Sequence, residues 1–345
     1  MQGAVDVKQT APRASALGAL LLLTLVGALI TYKASGSLRT LEKVRSTKTL
    51  APRAEAVSTA TLAPGTRSLA RAANYLAIVW PALIFGVLIG AAVRAAIPPE
   101  WLARAVGSSP LRAQLVAGAA GAPLMLCSCC VAPVFTAVYE KTRKTGPASA
   151  LLFASPSLNP VALLLTFLLF PAGVAAVRLG AALVLVFGVS ALASRLAGGV
   201  AEPESCAPAD AERPPAELAS FAREVLRLAL TTLPTILAGV LLSSLLVDLV
   251  PFSRLGGSGL AILLVALVAV PIALPTFAEI PLAIGLLAAG AGAGAAAALL
   301  IAGPAINLAS LFTLARATST RFSLALAAGT FGAAVAGGFL AASLI

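Results

Sequence analysis

Apolar residues run along the chain in long blocks separated by short polar stretches. The blocks lie at approximately 15–32, 74–97, 112–138, 148–170, 174–196, 228–250, 259–288, 295–315 and 322–345. A helix crossing ~30 Å of hydrocarbon needs about 20 apolar residues. The pattern therefore predicts an all-α polytopic membrane protein of about nine transmembrane helices. Composition agrees: 59% of the 345 residues are hydrophobic and 11% are charged, where a soluble domain carries about a quarter charged residues.

Polar stretches divide the chain. Residues 1–33 read as an N-terminal membrane helix, whose apolar run from Ser15 to Tyr32 exceeds the usual signal-peptide core and has no convincing cleavage site; it is expected to remain uncleaved. Residues 34–73 form a basic linker. Between positions 33 and 73, Lys33, Arg39, Lys43, Arg45, Lys48, Arg53, Arg67 and Arg71 face only Glu42 and Glu55, which assigns the stretch to the cytoplasmic side and the N-terminus outside. Residues 74–196 and 227–345 are two membrane units. The Pro- and Glu-rich segment 197–226 between them cannot bury a core and reads as a flexible linker. The second basic turn, Glu140 to Lys144, joins the first on the cytoplasmic side if 74–97 and 112–138 both cross. The net charge of +11 accompanies no nucleic-acid-binding motif, and Lys and Arg cluster between apolar blocks, so no nucleic-acid partner is expected.

The two units match position by position. Pro81, Gly86 and Pro98 recur as Pro234, Gly239 and Pro251, a shift of 153; Pro123, Pro133, Gly146, Pro156 and Asn159 recur as Pro271, Pro281, Gly294, Pro304 and Asn307, a shift of 148. A helix-interior proline costs roughly 3 kcal/mol, so recurrence in register inside apolar runs marks a duplicated unit of four segments behind one extra N-terminal helix. Duplication with Pro- and Gly-interrupted segments points to a transporter with a midplane site. Four full crossings per unit make the repeats parallel; one re-entrant segment per unit makes them inverted.

Three groups of residues could carry chemistry. Cys127, Cys129 and Cys130 fall within four positions of an apolar run between Pro123 and Pro133, while the fourth cysteine, Cys206, stands alone in the linker. In a continuous helix Cys127 and Cys130 share a face and Cys129 serves another surface. Pro133 leaves the Cys129 carbonyl without its helical partner. Soft thiolates suit soft ions such as Cu(I) and, by chemical analogy, trivalent arsenic, although cysteine is also a common small hydrophobe in buried helices. Glu279, the one charge between Arg254 and Arg316, sits two residues before Pro281. An ionised carboxylate in mid-bilayer costs on the order of 3 kcal/mol. It is expected to couple transport to protons or attract cations, with a water-reaching position or an arginine partner as the plainer alternatives. Its place in the repeat register suggests one cavity shared with the cysteines. Ser155, Asn159 and Asn307 lie beside Pro156 and Pro304, where broken helices could line a polar path or simply be capped. The chain has no histidine, which removes His-based relays, zinc ligands and triads. Nucleotide-binding motifs are also missing from the sequence, so energy must come from an ion gradient or another subunit.

The runs Cys127-Ser128-Cys129-Cys130-Val131-Ala132-Pro133, Lys144-Thr145-Gly146, Ala150 to Pro160, Glu279-Ile280-Pro281 and Ala302 to Asn307 resemble the ArsP-type (DUF318) predicted permeases over roughly 74–315. That resemblance implies a multi-pass permease, with characterised relatives exporting trivalent organoarsenicals through vicinal thiols. The expected activity is efflux of a small thiophilic substrate, most plausibly a trivalent arsenical, across the inner or plasma membrane. It needs no cofactor and no enzymatic step. The substrate-binding set would be Cys127, Cys129, Cys130, Ser155, Asn159 and Asn307, with the thiols as metalloid ligands, Glu279 as coupling residue, and Pro123, Pro133, Pro156, Pro271, Pro281 and Pro304 as helix breaks. The rival reading is a membrane thiol oxidoreductase relaying reducing equivalents through Cys127 and Cys130.

Overall fold

The computed structural model describes residues 11–52, 54–59, 61–98, 102, 110–196, 218–249 and 259–344. Among these every regular element is helical. A long first helix, α1 (Ala11–Thr47), continues well past the end of its apolar run, and α2 (Pro64–Ala96) follows. The first unit continues through α3 (Pro110–Gly121), α4 (Ser128–Thr142), α5 (Thr145–Ser157), α6 (Pro160–Leu169), α7 (Ala172–Leu183) and α8 (Ser190–Leu196), the last two joined by a π-helical stretch, Val184–Val189. The second unit contains α9 (Leu218–Leu249), α10 (Gly259–Ala269), α11 (Glu279–Ala288), α12 (Ala293–Ala305), α13 (Leu308–Ala317) and α14 (Thr320–Ser343). Most of the linker lies outside the described residues, but its positions 218–226 form the first turns of α9.

Length and composition make five helices capable of crossing a membrane: α1, α2, the α7–α8 span, α9 and α14. The pairs α5–α6 and α12–α13, bent by 42° and 43°, bring the number to as many as seven. The multi-pass membrane character read from the sequence therefore stands, with five to seven candidate spans among the described residues against the about nine expected.

The difference lies in 112–138 and 259–288, each of which is two short helices rather than one. A Cβ on Gly146 would lie 3.5 Å from Gln114 Nε2, and one on Gly121 would meet Leu151 O at 2.7 Å. Start lies against start and end against end, so α3 and α5 run parallel. Helix α4 turns back into α5 through Arg143, held at φ 53°, and therefore runs antiparallel to α5 and to α3. The chain reverses between them in a 3₁₀ turn, Ala122–Leu124, followed by left-handed Met125. The second unit repeats this course. A Cβ on Gly294 would lie 2.7 Å from Ile262 Cδ1, and one on Gly303 would lie 3.7 Å from Glu279 Cβ. Thus α10 runs parallel to α12, and α11 returns through Gly290 at φ 86°. Both are hairpins, with tips at 122–127 and 270–278. At 12 residues, α3 is about 18 Å long, too short to cross.

The hairpins enter from opposite ends of the bundle. Near the end of α2, Arg94 pairs with Glu140 of α4 at 2.5 Å and with Glu224 of α9 at 3.6 Å. Near its start, Asn74 borders a cavity with Ser243 of α9 and Gly285 of α11. The basic stretch ending at Arg71 and the basic turn beginning at Glu140 consequently lie at opposite ends of α2. The sequence reading put them on one side because it let 112–138 cross.

Prolines mark the breaks. Pro123 and Pro271 stand in the two hairpin tips, and Pro156 and Pro304 lie one residue before the last of α5 and α12. Pro281 is in the first turn of α11, where a proline forfeits no helical bond. Pro133 lies inside α4 and deprives the Cys129 carbonyl of its donor.

Candidate functional site

The first hairpin tip positions the thiols. Cys127 is the N-cap of α4, with extended backbone at φ −72° and ψ 161°, and its carbonyl accepts from Cys130 N and Val131 N. It therefore stands outside the helix that carries Cys129 and Cys130. That corrects the expectation of a continuous helix with Cys129 turned elsewhere: capping geometry swings Cys127 round until all three sulfurs converge. Sγ of Cys127 is 2.8 Å from that of Cys130 and 3.3 Å from that of Cys129, and Cys129 and Cys130 are 3.8 Å apart. All three thiols are free and buried. Three soft donors within 4.8 Å of one another have the spacing that could hold a soft ion.

Helix α2 walls the cluster. Tyr75 Oη shares a hydrogen bond with Cys129 Sγ at 3.0 Å, and Val79, one turn on, presents its carbonyl 3.9 Å from Cys130 Sγ. Close approach depends on Gly86, where any Cβ would lie 1.9 Å from Cys130 O. Ser155 closes the tip from the other side, accepting from Leu126 N at 3.0 Å and contacting Leu126 O at 3.4 Å.

Asn159 and Asn307 cap the second members of the two bent pairs. Asn159 Oδ1 accepts from Val161 N and Ala162 N, and Asn307 Oδ1 accepts from Ser310 N. Only Asn307 also reaches across the units, its Nδ2 donating to Ser128 Oγ at 2.9 Å between two of the cysteines. In the same break Leu308 N donates to Pro271 O at 3.1 Å, so the two hairpin tips meet at the start of α13.

Glu279 faces a different partner. Arg178 Nη2 donates to its Oε1 at 2.8 Å, and Arg178 Nη1 donates to Thr166 Oγ1 at 2.6 Å. Its route to the thiols runs through α12: Gly303 packs at its Cβ, and four residues later Asn307 holds Ser128. The carboxylate thus has an arginine partner, one of the plainer alternatives. Arg178 escaped notice, although it is the one charge between Lys144 and Arg195 and that isolation was visible.

A cavity of about 880 Å³ lies beside this centre, lined by α1, α2, α9, α10, α11 and the second hairpin tip, with Leu50, Pro52 and Glu55 of the basic linker along its edge. Its inner wall is chiefly aliphatic, with Asn74, Tyr75, Ser243, Ser244 and Thr276 among its polar points, and Lys43, Glu55 and Arg71 bring charge to the lining. Tyr75 belongs to the lining; the cysteines and Glu279 do not, so the single cavity expected from the repeat register is not what the structure shows.

A bundle with broken helices, a cavity and a buried thiol triad has the plan of a transporter, and a family model described as predicted permease (ArsP_1) matches residues 79–340. The chain belongs to this permease family. The UPF0718 protein YraQ of Escherichia coli (strain K12) is 32% identical over 260 residues, spanning 74% of this chain and 75% of that protein. The UPF0718 protein MJ0584 of Methanocaldococcus jannaschii is 40% identical over 84 residues, 24% of this chain and 23% of the relative. No solved structure matches. The permease match begins at residue 79, so α1, the basic linker and Tyr75 precede it.

Proposed function

We propose that this permease exports a small thiophilic substrate, a trivalent arsenical above all, by alternating access around the thiol triad. The observation that carries the reading is the convergence of Cys127, Cys129 and Cys130 at a hairpin tip next to a largely aliphatic cavity. An arsenical of the form R–As(OH)₂ meeting two thiols exchanges two As–O bonds for two As–S bonds and releases two waters, so capture consumes no oxidant. The cavity wall accommodates the organic substituent while the sulfurs take the arsenic.

The two units are proposed as inverted repeats. Each contributes one hairpin and three crossings, α2, α5–α6 and α7–α8 against α9, α12–α13 and α14, with α1 outside the repeat. The opposed entry of the hairpins and the meeting of their tips beside Asn307 support this arrangement, in which rocking of one unit against the other exposes the tips alternately. Glu279 is the proposed coupling residue: proton uptake releases it from Arg178 and frees the second hairpin from α7.

Transport into everted vesicles tests the site with Cys127→Ser, Cys130→Ser and Glu279→Gln. Loss of arsenical uptake in the cysteine variants supports capture; undiminished uptake in all three overturns the assignment. Resistance profiles of a sensitive host against arsenite, methylated and aromatic arsenicals, copper and silver identify the substrate class.

One observation favours a second reading. Cys127 and Cys130 sulfurs at 2.8 Å are close enough to join on oxidation, as a thiol relay requires. The second unit carries no cysteine to receive the electrons. Thiol trapping during turnover separates the two: cycling of a Cys127–Cys130 disulfide supports the relay, and thiols that stay reduced support transport.

A further inference from the structure

The cavity and the thiols are neighbours without being continuous. Cys127 is 5% exposed and Cys129 and Cys130 are 0% exposed, and none of them lines the cavity. A ligand arriving through the cavity meets another surface first. Tyr75 supplies it, since its side chain borders the cavity and its hydroxyl touches Cys129 at 3.0 Å. The ring is 6% exposed and lies one helical turn before Val79, whose carbonyl also faces the triad. The same face of α2 therefore separates the two compartments.

We infer that Tyr75 is the gate between the cavity and the thiol triad, and the residue that positions Cys129 within it. This rests on the cavity being the approach to the thiols. In the closed state the aromatic ring fills the passage and the hydroxyl occupies the hydrogen-bonding position on Cys129 that an incoming soft centre must take over. A thiol is a weak partner for a hydroxyl, so the bond yields readily to a covalent or coordinate competitor. Rotation of one side chain then opens the route without moving the bundle. Two separable contributions follow: the ring excludes ligands, and the hydroxyl orients Cys129.

Alkylation of the full-length protein by N-ethylmaleimide, followed by mass spectrometry in a Cys206→Ser background, reads the gate directly. Tyr75→Ala is expected to accelerate modification of Cys127, Cys129 and Cys130 by about tenfold or more, because reaction tracks thiol access. Tyr75→Phe keeps the ring and is expected to stay within about threefold of the parent, with the change confined to Cys129. Val247→Ala, which enlarges the cavity from α9 without touching the thiols, is expected to leave the rates unchanged. Parent-like labelling in Tyr75→Ala overturns the gate, as does equal acceleration in Val247→Ala. The Tyr75→Phe result keeps the question answerable if the alanine variant misfolds. Labelling is independent of transport: acceleration without arsenical uptake retains the gate and removes the transport reading, and uptake without acceleration does the reverse.

Discussion

Arg178 and Glu279, 101 positions apart, form an ion pair at 2.8 Å with side chains 2% and 3% exposed. The pair ties α7 of the first unit to the returning arm of the second hairpin. In a low-dielectric interior each charge is tolerable because of the other, since removing one partner leaves an uncompensated ion.

Stability should therefore depend on the pair more than on either residue. Arg178→Met or Glu279→Leu alone is expected to cost about 3–5 kcal/mol, whereas the two together recover most of the loss. Thermal unfolding in detergent, run as a double-mutant cycle, measures the coupling. Additive losses would show that the two charges stand independently.

Gly86 admits the backbone of α4 to α2 with no room to spare. Gly86→Ala would place a methyl carbon 1.9 Å from Cys130 O, so one helix must retreat. A cost of about 1–3 kcal/mol in stability is expected, together with loss of the sulfur convergence. Titration with phenylarsine oxide, read by protection of the thiols from alkylation, should show weakened binding in this variant. Gly27 has open space at its Cβ position, and Gly27→Ala should bind as the parent does.

Much of this site was legible in the sequence and some of it could not be. The prolines and asparagines marked positions where helices break, because a missing backbone donor acts wherever the chain goes, but did not show that two of those breaks turn the chain back. The cysteine run located the thiols, but not their arrangement. Convergence of the sulfurs depends on Cys127 standing at an N-cap, a backbone detail invisible to residue spacing. Hydropathy counts apolar segments without showing their direction, so two hairpins passed for crossings and the two basic stretches were placed on one side. Tyr75 and Arg178 act through neighbours 54 and 101 positions away, and no local pattern announces such partners.

Asn74 pins the linker edge of the cavity with two hydrogen bonds. Asn74 Nδ2 donates to Val57 O at 2.8 Å while its Oδ1 accepts from Val57 N at 2.9 Å. Asn74→Ala removes both bonds, and hydrogen exchange at 54–59 is expected to quicken by about tenfold, the equivalent of ~1.4 kcal/mol of lost local protection. Unchanged exchange would mean that other contacts hold the segment.

The two capping asparagines provide an internal comparison, because they occupy matching breaks and one of them reaches across the units. Each cap is worth about 1 kcal/mol, so Asn159→Ala and Asn307→Ala should lower stability by similar amounts. Their caps differ in detail, Asn159 accepting from two backbone amides and Asn307 from one, and only Asn307 also donates to Ser128, between Cys127 and Cys129. Its loss leaves the Ser128 hydroxyl without that donor and loosens the first hairpin tip from the start of α13. Arsenical binding should consequently weaken more in Asn307→Ala than in Asn159→Ala, and Ser128→Ala should weaken it in the same direction with its helix cap intact. Equal binding in Asn159→Ala and Asn307→Ala would mean that the bond joining the two units at the triad has no part in holding the thiols ready.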